Sequence, residues 1–230
     1  IKEIARDLNL GVDSLAFIDD SIFERNEVSS SLPMIRVYNE NEYLDLLKYK
    51  EFDVQITELS KKRRLSYQTE ISRKSDLNKF EDNYDEFLKS CMLNIDIFKP
   101  YKKNEIKRCF ELVQRSNQLN LSTMRYSEDE FKNLLNDNNY KVRAIRCSDK
   151  YGDYGIVGFS SILIEDNNFT LNDFVISCRV ARKKVEDTFF QKIAEEAISK
   201  NIDNFYAKFK ISKKNGPLSK VFDDLPFEKL

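Results

Sequence analysis

Between Tyr140 and Ser177 the chain passes through three apolar runs in succession, at residues 140–146, 156–164 and 169–177. Only Tyr151-Gly152-Asp153 and Asp166-Asn167-Asn168 interrupt them. Alternating β-branched and aromatic residues bounded by Gly, Asp and Asn are the mark of strands joined by tight turns. Val185 to Lys200 then spaces its apolar residues at three and four, as a helix does. Phe205 to Ile211 returns to strand spacing, and Leu218 to Phe222 makes a short helix. Upstream, Leu93, Ile95 and Ile97 alternate as a strand. Lys103–Gln114 is an amphipathic helix, Glu128–Leu135 is a second, and the polar stretch Ser116 to Thr123 lies between them. Strand, helices, a three-strand meander, a long helix, a strand and a helix specify an α+β domain with a mixed sheet.

The opening residues follow another pattern. Ile1, Ile4, Ala5 and Leu8 have helical spacing, and Asn9-Leu10-Gly11 reads as a helix stop with Gly11 suited to a left-handed cap. Ser14 to Ile18 is a short apolar run that ends in Asp19-Asp20. Phe23 to Ser29 reads as a helix and Ile35 to Tyr38 as a strand. Helix, strand, helix, strand with short connections is the tail of a parallel α/β sheet. Glu42–Tyr49 and Asn83–Cys91 have helical patterns. Leu59–Arg73, with the basic run Lys61-Lys62-Arg63-Arg64, reads as a long polar helix whose charges form a solvated face. The expected division is therefore 1–58, a helical linker 59–91, and 92–230.

Composition removes several classes of function. The 230 residues contain 38 Lys+Arg and 39 Asp+Glu, a net charge of −1, so no overall field recruits nucleic acid or an anionic membrane. No apolar run approaches the roughly 20 residues needed to span a bilayer. Histidine is absent, which excludes His-dependent triads and His-ligated metal sites from these residues. A metal here would be a hard cation on carboxylates, such as magnesium. Cys91, Cys109, Cys147 and Cys178 are widely spaced with no C-x-x-C pair, the pattern of reduced thiols in a cytoplasmic protein.

Two places carry chemistry-bearing residues. Asp19 and Asp20 stand at the carboxyl end of a buried run, where open α/β sheets bind ligands and where a carboxylate can hold magnesium beside phosphate. The same position also suits helix capping, with Asp20 or Ser21 starting the next helix. In the second half, Cys178 lies at a strand end beside Arg179. A thiol next to a cation and a helix N-terminus can accept an acyl group, and a cysteine in such a strand is also a small buried hydrophobe. Asn117, Gln118, Asn120 and Thr123 cluster between two helices. They suit loop capping and Asx-turns, or an amide-lined groove together with Arg125 and Asp173.

Five segments resemble FkbH-like proteins, which join a HAD-type phosphatase-like domain to a GNAT-like acyltransferase domain. They are LNLGVDSLAFIDDSIFERNEV at 8–28, RSNQLNLSTMRYSEDEF at 115–131, DKYGDYGIVG at 149–158, DFVISCRV at 173–180 and SKKNGPLSKVFDDLPFE at 212–228. The resemblance implies that Asp19 and Asp20 hold magnesium in a phosphatase-like site, with Ser21-Ile22 replacing the family's Asn-Pro. It also implies that the D-x-D nucleophile half is missing from this chain, since Asp53-Val54-Gln55-Ile56-Thr57 has Gln55 where the second acid belongs. The missing N-terminal half and an acyl carrier protein are the expected partners.

For the GNAT-like half, the resemblance implies that the loop entering the long helix cradles the pyrophosphate of coenzyme A or phosphopantetheine. Arg179, Arg182 and Lys184 would be the cationic contacts, Arg182 and Lys184 replacing the two glycines of the usual loop. The leading expectation is part of a biosynthetic acyl or glyceryl transferase acting with a carrier protein. The alternatives are a GNAT-like binding module without catalysis, and N-acyl transfer from acetyl-CoA with Asp173 as base.

Overall fold

A computed structural model describes residues 1–8, 10–52, 63–80, 83–116, 119–212 and 215–228, with the side chains of 63–67 and 74 left aside. The Asp53–Thr57 stretch, Lys61, Lys62, Asn117 and Gln118 lie outside the described residues. Contacts divide the chain into two compact units, 1–68 and 69–230.

In the first unit, helix α1 (Lys2–Asp7) precedes strand β1 (Ala16–Asp19), helix α2 (Ile22–Ser31) and strand β2 (Arg36–Asn39). The strands pair in parallel, Ala16 opposite Arg36 and Asp19 opposite Asn39. This keeps the expected strand–helix–strand order over two strands. Gly11 is extended (φ −67°) rather than left-handed, with the exposed Asp13 carboxylate beside it. The helix expected over 42–49 is replaced by two 3-10 turns, Glu40–Glu42 and Leu46–Lys48. Asn39 Oδ1 accepts from Asn41 N (2.9 Å) and Glu42 reaches back to Asn39 N (2.8 Å), closing a tight turn. Leu44 and Leu47 are exposed, so no apolar face holds a longer helix together. Tyr38 is buried, stacks on Tyr49 and donates to Glu51 (2.6 Å). Burial and that bond push its phenol up to about 12.

The second unit takes helices α3 (Arg63–Leu77, from Thr69 on) and α4 (Tyr84–Ser90), then strand β3 (Asn94–Phe98) and helices α5 (Lys103–Arg115) and α6 (Glu128–Asn136). Strands β4 (Tyr140–Asp149), β5 (Gly152–Glu165) and β6 (Asn168–Ile176), helix α7 (Val185–Ser199), strand β7 (Asn204–Ala207) and helix α8 (Gly216–Asp223) complete it. The sheet order is β3-β4-β5-β6-β7, antiparallel throughout except for the parallel β6–β7 pair. The β5–β6 turn places Asp166 (φ 48°) and Asn167 (φ 58°) in the left-handed region, which Asp and Asn tolerate best among residues with a Cβ. Side chains along each strand alternate between faces. Val142, Ala144, Phe159 and Val175 pack with Cys109, Leu112 and Val113 of α5 and Phe131 of α6. Ile145, Val157, Ile162, Leu171 and Phe174 pack with Phe189, Phe190 and Ile193 of α7 and Leu218 of α8.

The segment expected as a linker is built into this unit from Thr69 onward. Arg73 reaches Asp149, the Tyr84 hydroxyl donates to the Arg182 carbonyl (2.8 Å), and Lys150 N donates to Cys91 O (2.9 Å). None of the four cysteines is in a disulfide; burial pushes the Cys109 thiol up to about 12 and the Cys147 thiol to about 11. Among the described residues no helix is long and apolar enough to cross a membrane.

Candidate active site

Strands β6 and β7 pair only from Asn168–Asn204 to Leu171–Ala207. One further bond, Lys208 N to Leu171 O (3.1 Å), ends the contact, and the two chains part. The opening is filled by Leu119–Leu121. Leu121 N donates to Phe174 O (2.9 Å), Ile176 N donates to Leu119 O (2.9 Å), and Asn120 bridges Val175. On its other side Lys210 N donates to Leu121 O (3.1 Å), and the buried Asn215 amide bonds Asn120 O (3.1 Å) and Lys210 O (2.8 Å). The strand expected over 205–211 therefore continues its alternation past Ala207 with a different partner.

At this parting, Ser122, Met124, Tyr126, Asn172, Asp173, Lys208 and Lys210 line a cavity of about 310 Å³. Asp173 is its deepest charged group, 2% exposed. Its Oδ1 accepts from Ser122 Oγ (2.5 Å), and its Oδ2 accepts from the Tyr126 hydroxyl (2.6 Å) and from Ser161 Oγ (2.6 Å). Ser161 stands directly opposite Asp173 across the β5–β6 ladder. All three donors are neutral. Burial, and then the neighbouring carboxylate, hold the Tyr126 phenol far above its ordinary range.

Among the described residues that the sequence singled out, Asp173 alone lines this cavity. Asn120 Oδ1 accepts from Thr123 N (2.8 Å) and its amide donates to Ser116 O (3.1 Å), so its side chain closes the turn where Thr123 is left-handed (φ 56°). Arg125 donates to Val113 O (2.8 Å) and Ser116 O (3.0 Å), satisfying carbonyls at the end of α5. Ser122, Tyr126, Ser161, Asn172, Lys208 and Lys210 are site residues that sequence reasoning passed over. Ser122 and Tyr126 sit inside the quoted 115–131 segment. Lys208 and Lys210 share the exposed phase of a strand pattern whose other phase is Phe205, Ala207 and Phe209.

The loop between β6 and α7 is a second region. Cys178 begins a 3-10 turn, Cys178–Val180, beyond the end of β6 and is half-buried; Arg179 Nε donates to Ser177 Oγ (3.3 Å). Arg182 (φ 65°) and Lys184 (φ 55°) both adopt left-handed conformations. The glycine-type backbone is thus present at these positions without glycine, against a steric cost of about 1–3 kcal/mol each. Lys184 pairs with Asp85 (2.7 Å), which raises the lysine and lowers the carboxyl. Buried Lys183 lies 3.8 Å from Glu70, and burial pushes its ammonium below the usual lysine range. Glu186, in the first turn of α7, is buried. Burial raises its carboxyl above the usual range.

Asp19 acts locally. Asp19 Oδ1 accepts from Ser21 N (2.8 Å), Arg25 donates to Asp19 O (2.6 Å), and Ser21 caps α2 through Glu24 N (3.3 Å). Asp20 is exposed. Among the described residues no group of three or more His, Cys, Asp or Glu side chains is placed to hold a metal.

No family model matches the chain, and no curated protein matches it significantly. Solved structures similar to it include the ribosomal-protein-S18-alanine N-acetyltransferase from Escherichia coli, at 12% identity over 60% of this chain and 79% of that one, TM-score 0.45. The ribosomal-protein-alanine N-acetyltransferase from Brucella melitensis biovar Abortus 2308 aligns at 11% identity over 60% and 92%, TM-score 0.43. An aminoglycoside acetyltransferase from an uncultured soil metagenomic sample aligns at 14% over 60% and 91%, TM-score 0.40. At these scores the alignments assign neither activity nor substrate.

Proposed function

We propose that residues 69–230 form a GNAT-like acyl-transfer domain, in a chain resembling FkbH-like biosynthetic proteins. It passes an acyl group from a pantetheine thioester, carried by coenzyme A or an acyl carrier protein, to an acceptor in the cavity beside Asp173. The observation that carries this reading is the parting of β6 and β7, with a buried carboxylate opening into a cavity of about 310 Å³ at that point. The left-handed turns at Arg182 and Lys184, ahead of a helix that joins two parallel strands, support it. In the reaction the acceptor nitrogen attacks the thioester carbonyl carbon. The C–N bond forms, the C–S bond breaks, one amine proton passes to Asp173, and the same proton leaves on the thiol.

A second reading, a GNAT-like binding module without transfer, is favoured by two observations. Leu119–Leu121 occupies the edge of β6 beyond Leu171, and Glu186 places a buried carboxylate in the first turn of α7. No step is assigned to Asp19 or Asp20.

Calorimetric titration with coenzyme A and with phosphopantetheine, followed by thiol release from acetyl-CoA in the presence of small amines, separates the two readings. Saturable binding and thiol release that disappears in Asp173→Asn supports transfer. Absence of both heat and thiol release sinks it and leaves the binding module.

A further inference from the structure

We infer that the cavity at the β6–β7 parting is a subsite for a small amino or hydroxy acid, its carboxylate against Lys208 and Lys210 and its amine or hydroxyl against Asp173. The inference rests on the cavity being the acceptor site of the acyl-transfer reading. Lys208 and Lys210 are two residues apart on extended backbone, so their side chains leave on the same side with bases about 6–7 Å apart. Both line the cavity, and neither is ion-paired among the described residues. Two ammonium groups against one carboxylate leave the lining with a net positive charge. The missing charge is that of one small anion.

The opposite wall has the complementary deficit. A carboxylate offers about four lone-pair sites. Asp173 fills two on Oδ2 and one on Oδ1, and all three donors are uncharged hydroxyls. Oδ1 therefore keeps an acceptor position for an N–H or O–H from the cavity. A ligand that satisfies both walls carries an anion at one end and a donor close to it. An α-amino or α-hydroxy acid has both. The volume lies at the lower end of the roughly 300–1,000 Å³ typical of small-molecule sites, which suits an acid of a few carbons. The Asn172 amide donates to the Tyr140 hydroxyl (3.2 Å).

The test is calorimetric or ligand-observed NMR titration of the full chain with L-serine and L-lactate, against ethanolamine, propionate and inorganic phosphate. Serine or lactate is expected to bind saturably, with ethanolamine and propionate weaker by about tenfold or more, the factor that one lost charged contact or hydrogen bond gives. The double variant Lys208→Ala/Lys210→Ala is expected to lose serine binding while its melting temperature stays put, because both side chains are exposed. Lysine variants that bind serine as tightly as the unmodified chain overturn the inference. So does equal binding of propionate and serine, or binding of phosphate alone. Coenzyme A turnover without acid binding removes the subsite and keeps transfer; acid binding without any thioester turnover keeps the subsite and removes transfer.

Discussion

Two aspartates in the second unit have buried carboxylates and are differently used. Asp149, at the end of β4, has a side chain that is 0% exposed. It accepts from Arg73 Nη2 (2.7 Å) and Nε (3.1 Å), from the Tyr154 hydroxyl (2.9 Å) and from the N–H groups of Tyr151 and Gly152. Arg73 lies over the rings of Tyr151 and Tyr154 and pairs with Glu70. Every lone pair is spent and a cation balances the charge. Asp173 has hydroxyl donors only, no cation in contact, and a cavity in front of it. A buried charge that is neutralised and enclosed is a clamp. One that is held in place without being neutralised is available to a ligand.

The contrast breaks most easily at the clamp. Arg73→Ala leaves the Asp149 carboxylate buried without its cation, and urea denaturation is expected to show a loss of about 3–5 kcal/mol. A loss below about 1 kcal/mol would make the pair ornamental and erase the distinction. Asp173→Asn keeps an acceptor for the hydroxyls, so it is expected to cost about 1–3 kcal/mol in the same assay while abolishing acid binding and thiol release. Retained ligand binding in that variant would move the site elsewhere.

Alkaline titration sharpens the comparison from the side of the phenols. Burial raises both Tyr154 and Tyr126 in the folded state, with Asp149 and Asp173 respectively adding to the effect. A raised folded pKa gives stability that is complete below the unfolded phenol value of about 10 and is lost as pH climbs beyond it. Absorbance of phenolate is therefore expected to lag the exposed tyrosines and to appear with unfolding. Ionisation of all eleven tyrosines in one step near the ordinary value would contradict the burial of these two. The smallest effect is expected at the loop, where Arg182→Gly relieves a left-handed residue and gains about 0.5–1 kcal/mol after the glycine entropy is deducted. A thermal melt that shows a loss instead would mean that the Arg182 side chain holds the loop.

Periodicity in the sequence located nearly every element of the second unit, because its strands are half-buried and its turns use Gly, Asp and Asn for their conformations. It failed at 42–49, where Leu44 and Leu47 have the spacing of a helix with nothing to pack on. Asp173 was legible as a polar residue in a buried run. Its donors Ser122 and Ser161 were not, since which serine meets which carboxylate is settled by strand register and by where Leu119–Leu121 lies. The same holds for Arg125 and Asn120, whose side chains sequence spacing cannot distinguish from groove residues. In the structure they serve backbone groups a few residues away. Arg182 and Lys184 show the converse: the missing glycines suggested a lost loop, whereas the left-handed backbone persists.

The tripeptide Leu119–Leu121 has a consequence for solubility. Parting β7 from β6 leaves an unpaired edge in the middle of a sheet, flanked by Phe174 and Ile176. Such an edge is the kind that recruits strands from other chains. By covering it with three residues anchored through the Asn215 amide, the molecule opens a cavity within its sheet and still closes the edge of β6 at the parting.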